Sequence, residues 1–369
     1  MTVHSSVRQI EALKHRFGVM SLDRPKSLNS VDLALTLSIH QQLVAWRDDP
    51  NIEFVVLMSE HERAFCAGGD IVALYHALQE CRQTLRSDHY VYEFFHAEYS
   101  LDELIHYYPK PIVVLGQGVV MGGGVGMFMG ASHRVVFDNT RFAMPEVCIG
   151  LFPDVAGTWM LARLPNGVGE LLALSGVSIQ AADCVALGLA DWWVPGSSAE
   201  FLTHLEQATP QAEASPLAYL NQILGEYAKG WVLSDSPVMQ VYPALRSLAR
   251  PASVADFTQQ LAVLAQQTSQ PWLHQAYEQL CTASPLSQTI TLALMAQNRK
   301  RSVSQTLADD LWVAMQCCAR GDLVEGVRAL LIDKDRQPVW QHPKDFSPLE
   351  LERFYRPDWP NAELALCFK

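Results

Sequence analysis

Residues 111 to 131 read PIVVLGQGVVMGGGVGMFMGA. The run is long enough to cross a bilayer as a helix, and Gln117 is its only conventional polar side chain. Three consecutive glycines in its middle argue against that reading, since each costs a helix interior about 1 kcal/mol relative to alanine. The stretch reads instead as a buried strand, a turn and a buried helix. The same logic extends outward. GVMSL (18–22), EFVVLMS (53–59), HRVVFD (133–138) and TRFAM (140–144) read as strands, and VDLALTLSIHQQLVAW (31–46) as a helix. Between residues 59 and 111, RAFCAGGD reads as a loop, followed by helical stretches at about 70–86 and 92–105. Strands alternating with helices imply an α/β core with mostly parallel pairing.

From about residue 200 the pattern turns helical. SQTLADDLWVAMQCCARG (304–321) is the clearest case, with Leu307, Leu311, Met315 and Cys318 on one face, a serine at its start and a glycine at its stop. The expected division is a core over 1–200 that carries the active site, and a mainly helical region over 201–369 that covers it. No repeat of fixed period and no low-complexity linker separates the two.

Composition narrows the function. Of 369 residues, 49% are hydrophobic and 18% charged, which suits a soluble globular protein with a large core. Lys and Arg number 27 against 39 Asp and Glu, a formal charge of -12 that disfavours nucleic acid and anionic lipid as partners. The eight cysteines form no CxxC pair and have no histidine at zinc-ligand spacing, so they read as buried thiols in a reducing compartment, with no metal required. The first residues, MTVHSSVRQIEALKHRFG, have neither an apolar signal core nor the acid-free, Arg-rich pattern of a transit peptide, and the expectation is a cytoplasmic protein.

Common catalytic signatures are missing: there is no GxxxxGK[ST], GxSxG or HExxH, and the glycines near 122 spell no GxGxxG. Two Gly-rich stretches nevertheless follow apolar strands, AFCAGGD (64–70) and VVMGGGVG (119–126). The first N–H groups of a helix lack partners and carry the positive end of its dipole, and glycine lets a ligand oxygen approach them. Two such donors converging on a point make an oxyanion hole for an acyl carbonyl. Close packing of helix on sheet is the other explanation.

Further on, FAMPEVCIGLFPD (142–154) places Glu146 and Asp154 in an otherwise apolar run. Glu146 follows a strand end, and such burial raises a carboxylate's pKa and suits it to base or nucleophile work. A core carboxylate paired with arginine is the alternative. Asp154 precedes VAGTWMLARL and reads either as the N-cap of a helix starting at 155 or as a second site acid. His96 and His133 read as packing or hydrogen-bonded residues.

The order AFCAGGDI, MGGGVG, FAMPEVCIGLFPDVAGTW resembles the enoyl-CoA hydratase/isomerase (crotonase) superfamily, and within it the 3-hydroxyisobutyryl-CoA hydrolase branch. The likeness runs from GVMSLDRPKSLNS to SGVSIQAADCVALGLAD and resumes with SPLSQTITL and RGDLVEGVRALLIDKDRQPVW, leaving about 200–280 unmatched. It implies an α/β crotonase-like spiral of ββα units with a C-terminal helical region, often assembled into trimers. It also implies roles: Gly69 and Gly123 N–H groups as the oxyanion hole, Glu146 as the principal catalytic carboxylate, Asp154 as its partner, and Glu98 as a further substrate-contacting acid. From the residues alone, Glu98 also reads as a helix-surface or ion-paired acid. Arg24 and Lys26, in LDRPKSLN, are candidates for the coenzyme A phosphates, or are solvated loop charges. Hydratases of this superfamily carry a second glutamate three residues after the middle glycine of their GGG. Gly126 stands there, which favours thioester hydrolysis over hydration. The implied substrate is 3-hydroxyisobutyryl-CoA, as in valine breakdown, with coenzyme A part of the substrate and no separate cofactor. Hydration or isomerisation of another acyl-CoA, and non-catalytic acyl-CoA binding, are the alternatives.

Overall fold

A computed structural model describes residues 3–9, 16–81, 89–208, 215–341 and 348–355. The chain divides into two compact units whose segments interleave: Met1–Gly69, Leu101–Phe142 and Ile179–Ser236 in the first, Asp70–Ser100, Ala143–Ser178 and Pro237–Lys369 in the second. In chain order the elements are β1 (Val3–Gln9), β2 (Arg16–Leu22), α1 (Leu33–Asp48), β3 (Phe54–Ser59), β4 (Ala64–Cys66), α2 (Ile71–Cys81) and α3 (Tyr90–His106). Next come β5 (Ile112–Gly116), β6 (Val119–Met121), α4 (Gly123–Gly130), β7 (His133–Phe137), β8 (Arg141–Ala143), α5 (Gly157–Leu161) and α6 (Val168–Ser175). After these lie β9 (Ile179–Gln180), α7 (Ala181–Ala186), β10 (Trp192–Val194), α8 (Ser198–Gln207), α9 (Pro216–Tyr227) and α10 (Pro237–Leu245). The remainder is helical: α11 (Val254–Gln266), α12 (Pro271–Thr282), α13 (Pro285–Asn298), α14 (Val303–Arg320), α15 (Leu323–Val327) and α16 (Pro348–Tyr355).

The first unit holds a six-stranded sheet, ordered β1-β2-β3-β5-β7-β10, and a four-stranded sheet, ordered β4-β6-β8-β9. In the larger sheet β1 and β2 are antiparallel and every other pair is parallel. Three successive turns of chain place one strand in each sheet: β3 then β4, β5 then β6, β7 then β8. A helix follows the first two of these turns directly, giving the expected ββα repetition. The stretch 111–131 accordingly forms two strands and a helix, one strand more than the sequence suggests. RAFCAGGD likewise contains a strand, β4, rather than being loop throughout; three residues are too short to show a period.

Strands β2, β3 and β5 of the large sheet are buried on both faces, which explains their apolar runs. Phe54, Val56 and Met58 share a core with Val113, Leu115 and Val135, closed by Phe201, Tyr219 and Leu224 from α8 and α9. Val55, Leu57, Ile112 and Val114, which alternate with them along the strands, are equally buried. Residue 200, the compositional change in the sequence, thus lies in a helix that packs on this sheet.

Helix α4 lies tightly against β4. A Cβ on Gly124 would sit 2.6 Å from the Cys66 carbonyl oxygen, so close packing accounts for this glycine. The loop before α1 is tied down by Asn29, fully buried, whose side-chain amide donates to Ser59 Oγ at 2.7 Å and to the Ala64 carbonyl at 3.1 Å. That loop in turn holds the AFCAGG turn through Ala67 N–H donating to the Leu28 carbonyl and Val31 N–H to that of Gly68.

Helix α14 begins two residues earlier than its sequence pattern suggests, at Val303, with Ser302 and Gln305 forming a capping box. Leu307, Leu311, Met315 and Cys318 are buried as expected. Among the described residues no helix is long and apolar enough to cross a membrane. Residues 82–86 of the expected second helix lie outside the described residues, as do Met1–Thr2 and 10–15 of the first eighteen.

Gly124→Ala should destabilise the protein by about 1–3 kcal/mol, the usual cost of forcing a group into a filled space. Gly230, with nothing within 4 Å of an added Cβ, is the control. Urea titration of the two variants checks the contrast, and equal midpoints would show that α4 can shift away from β4.

Candidate active site

Both acids of the FAMPEVCIGLFPD stretch belong to the second unit. Pro145, following β8, caps a short 3-10 turn over Glu146–Ile149, and this places Glu146 immediately past a strand end. Glu146 is only 5% exposed, and its buried Oε2 has no hydrogen-bond partner among the described residues. No arginine or lysine among them pairs with it, which removes the alternative of an ion-paired core acid. Burial pushes its pKa well above the ordinary carboxylate range, and the neighbouring charge of Asp154 adds to the shift.

Asp154 is 5% exposed and accepts a 2.7 Å hydrogen bond from the Tyr99 hydroxyl. Burial raises its pKa as well, while the Tyr99 hydrogen bond works in the opposite direction by favouring the ionised form. The expected N-cap role is corrected. The next helix starts at Gly157, with Ala156 at its N-cap and no side-chain cap, because Val155 and Ala156 both take left-handed backbone conformations, at φ 48° and 60°. That turn delays the helix by two residues and leaves the Asp154 side chain on Tyr99.

Tyr99 itself is fully buried. Desolvation, with the charges of Asp154, Asp310 and Glu98, holds its phenol protonated and therefore able to donate. Glu98 is 5% exposed, so it is not a helix-surface acid. The second unit thus gathers Glu98, Tyr99, Glu146, Asp154 and Asp310.

Distant sequence supports the 146–150 turn. Ser284 N–H donates to the Val147 carbonyl at 3.0 Å, and Ser284 Oγ donates to Asp322 at 2.7 Å. A Cβ on Gly326 would lie 2.3 Å from the Ile149 carbonyl, so only glycine allows α15 to back onto the turn. This is the physical content of the SPLSQ and RGDLVEGVR segments. Cys148 is no rival nucleophile: burial, with the charge of Glu146, pushes its thiol up to about 12.

The glycine turns belong to the first unit. Gly122 caps α4 with φ 50° and Gly123 opens the helix. Gly68, at φ 100°, precedes Gly69, and its added Cβ would stand 3.9 Å from the Gly123 nitrogen, so the two turns are neighbours. Further along α4, the space a Cβ on Gly126 would take is filled by the buried Asp102 carboxylate, 2.5 Å away. A glutamate at 126 would have to displace it.

The remaining candidates have other partners. Arg24 donates to the Ser30 carbonyl and pairs with Asp32 at 3.2 Å, holding its own loop, while Lys26 is exposed. His133 is buried and hydrogen-bonded to Ser132 at 2.9 Å, and His96 is half-buried; burial lowers the pKa of both. On the surface, His4 lies between Asp23 and Glu60, the one group among the described residues with metal-ligand spacing. Of the cysteines, Cys66, Cys184, Cys317 and Cys318 are buried as expected, whereas Cys281 is exposed; all four and Cys281 are free thiols. Tyr99, Asp102 and Asp310 escape sequence reading. Only Asp310 left a local signal, a charge on the apolar face of α14 between Leu307 and Leu311.

The enoyl-CoA hydratase/isomerase family model matches residues 17–353. A 3-hydroxyisobutyryl-CoA hydrolase, mitochondrial, from Xenopus tropicalis is 34% identical over 326 residues, covering 88% of this chain and 81% of that protein. 3-Hydroxyisobutyryl-CoA hydrolase 1 from Arabidopsis thaliana is 31% identical, covering 88% of this chain and 84% of that protein. Among solved structures, a carnitinyl-CoA dehydratase from Mycobacterium thermoresistibile superposes with a TM-score of 0.85 at 30% identity, covering 100% of this chain and 99% of that one. The ββα repetition, the paired glycine turns and the matched span together identify the chain as a member of the enoyl-CoA hydratase/isomerase family.

Proposed function

We propose that the protein hydrolyses 3-hydroxyisobutyryl-CoA to 3-hydroxyisobutyrate and coenzyme A, a step of valine catabolism. Glu146 carries this reading: a fully desolvated carboxylate with an unpartnered oxygen beside a second acid is a reactive group rather than a structural one. The relatives named for this hydrolysis support the substrate.

Thioester hydrolysis asks for little machinery. The Gly69 and Gly123 N–H groups polarise the carbonyl, so that negative charge developing on its oxygen meets two donors. Glu146 then either attacks the carbonyl carbon or takes a proton from a water that does so. In the first route a C–O bond to Glu146 forms as the C–S bond breaks, and water cleaves the resulting anhydride. In the second, water oxygen joins the carbon directly. Either way coenzyme A departs as a thiolate, eased by a thiol pKa near 8.5, and is then protonated. Asp154, kept toward its ionised form by Tyr99, orients the substrate hydroxyl or the water, and Glu98 contacts the substrate. Lys26, exposed where Arg24 is committed, is the better candidate for the coenzyme A phosphates. No further cofactor enters this scheme. Homo-oligomeric assembly belongs to the same proposal, as does a reducing, cytoplasmic setting, which the free thiols support although several relatives carry "mitochondrial" in their names.

A small acyl-CoA panel, read by free-thiol release and by enoyl absorbance, tests the reaction class. The wild type should release thiol from 3-hydroxyisobutyryl-CoA, and Glu146→Gln should lose roughly 10²- to 10⁴-fold in kcat. Loss of enoyl absorbance without thiol release would instead mark a hydratase. The same variant should be more stable at neutral pH. A carboxyl whose folded pKa is raised binds its proton more tightly in the native state, so its stabilisation is complete below the unfolded pKa, near 4.3, and is lost as pH rises through the folded value. The wild type should thus lose stability relative to Glu146→Gln as pH rises above the unfolded value, the loss levelling off once the raised folded value is passed. Parallel melting curves across that rise would contradict it.

Tyr99→Phe removes a hydrogen bond that favours ionised Asp154, so the acid limb of kcat/KM against pH should move upward. An unmoved limb would dissociate Tyr99 from the reaction. Single turnover in oxygen-18 water separates the two routes, with label entering Glu146 only through an anhydride.

A further inference from the structure

We propose that Asp310 is a positioning residue for Asp154, acting through the backbone turn between them. The inference rests on the hydrolase reading above, in which Asp154 serves the reaction.

The turn needs outside support. Val155 and Ala156 follow Asp154 in left-handed conformations, at φ 48° and 60°. That region is sparsely populated by residues with a Cβ, and a β-branched valine is disfavoured there above most others. Such geometry persists where surrounding structure over-determines it, and strained backbone of this kind clusters at functional sites. Here the constraint is identifiable. The Ala156 N–H, at the N-cap of α5, donates to Asp310 Oδ2 at 2.9 Å. Asp310 is 0% exposed and comes from the middle of α14, 154 residues away in sequence. Ala156 has no side chain able to cap its helix, so a carboxylate from another helix occupies the electropositive N-terminus instead.

Three further bonds close the turn. Gly157 N–H donates to the Asp154 carbonyl at 2.5 Å, Thr158 N–H to the Pro153 carbonyl at 3.1 Å, and Asn298 Nδ2 to Thr158 Oγ1 at 2.9 Å. Tyr99 then fixes the Asp154 side chain. The turn that follows Asp154 and the Asp154 side chain are thus held from different places, the turn by Asp310 on the Ala156 N–H and the side chain by Tyr99. If the Asp310 bond is lost, Val155 and Ala156 can relax toward negative φ, and the Asp154 carboxylate turns away from Tyr99.

Two substitutions separate positioning from packing. Asp310→Asn keeps an oxygen acceptor and should retain kcat within about threefold. Asp310→Ala should lower kcat by roughly 10- to 100-fold with a smaller change in KM. Adding Ala156→Gly, which takes left-handed backbone without steric cost, should restore at least part of the loss. A general packing defect around α14 would not respond to glycine at 156. Coupling gives a second readout: combined with Asp154→Asn, Asp310→Ala should add little, since both act on one group. Should the alanine variant not accumulate as folded protein, Asp310→Val, nearer the original volume, carries the same comparison. Near-normal kcat in Asp310→Ala or Asp310→Val, absent rescue by Ala156→Gly, or full additivity with Asp154→Asn would each overturn the proposal. Thiol release by the wild type is measured first, so failure of the hydrolase reading is seen separately from failure of the Asp310 comparison.

Discussion

Burying the Glu146 carboxylate with one oxygen unpartnered is the constraint around which the second unit is organised. An isolated buried charge costs several kcal/mol, and proteins ordinarily avoid the cost by pairing or neutralising the group. Among the described residues neither arginine nor lysine pairs with it, and the charge of Asp154 aggravates the problem. The surroundings must therefore be rigid enough to hold a conformation that electrostatics opposes. Ser284 on the Val147 carbonyl and Gly326 against Ile149 supply that rigidity from two remote segments. A turn held only by its own hydrogen bonds could swing the acid toward water, and its raised pKa would go with it.

Two buried acids so close together need a means of telling them apart. Tyr99 provides it by donating to Asp154 and not to Glu146. The hydrogen bond favours the ionised form of one acid, and the remaining burial and repulsion fall on the other. Unequal environments are what allow paired carboxylates to take different roles in one reaction. The phenol can act this way because burial and the charges around it keep its own proton in place.

Much of this architecture is local and therefore legible in sequence. The strands follow from unbroken apolar runs, α1 from its periodicity, and Glu146 from a charge stranded in an apolar stretch. What sequence hides has one of two causes. The delayed start of α5 depends on left-handed Val155 and Ala156, and nothing in those residue types predicts it, since both disfavour the conformation they adopt. The long-range bond from Asp310 to the Ala156 N–H helps to override that preference. Tyr99 and Asp310 are hidden for the complementary reason, because their partners lie 55 and 154 residues away. Even so, a charge between Leu307 and Leu311 on a buried helix face is the same kind of anomaly that drew attention to Glu146.

Gly126 is a glycine that the packing between two helices requires. The chain shares its architecture with a protein named a dehydratase, so the fold alone does not choose the chemistry. At position 126 the constraint is steric. The Asp102 carboxylate from α3 stands where a side chain on α4 would begin, and the close approach of α4 to Cys66 at Gly124 limits the room to yield. Introducing a glutamate at 126 would require α3 to give up a buried carboxylate as well. Placing a side chain at 126 therefore takes coordinated changes on two helices, which makes the glycine there a property of the packing and not an isolated substitution.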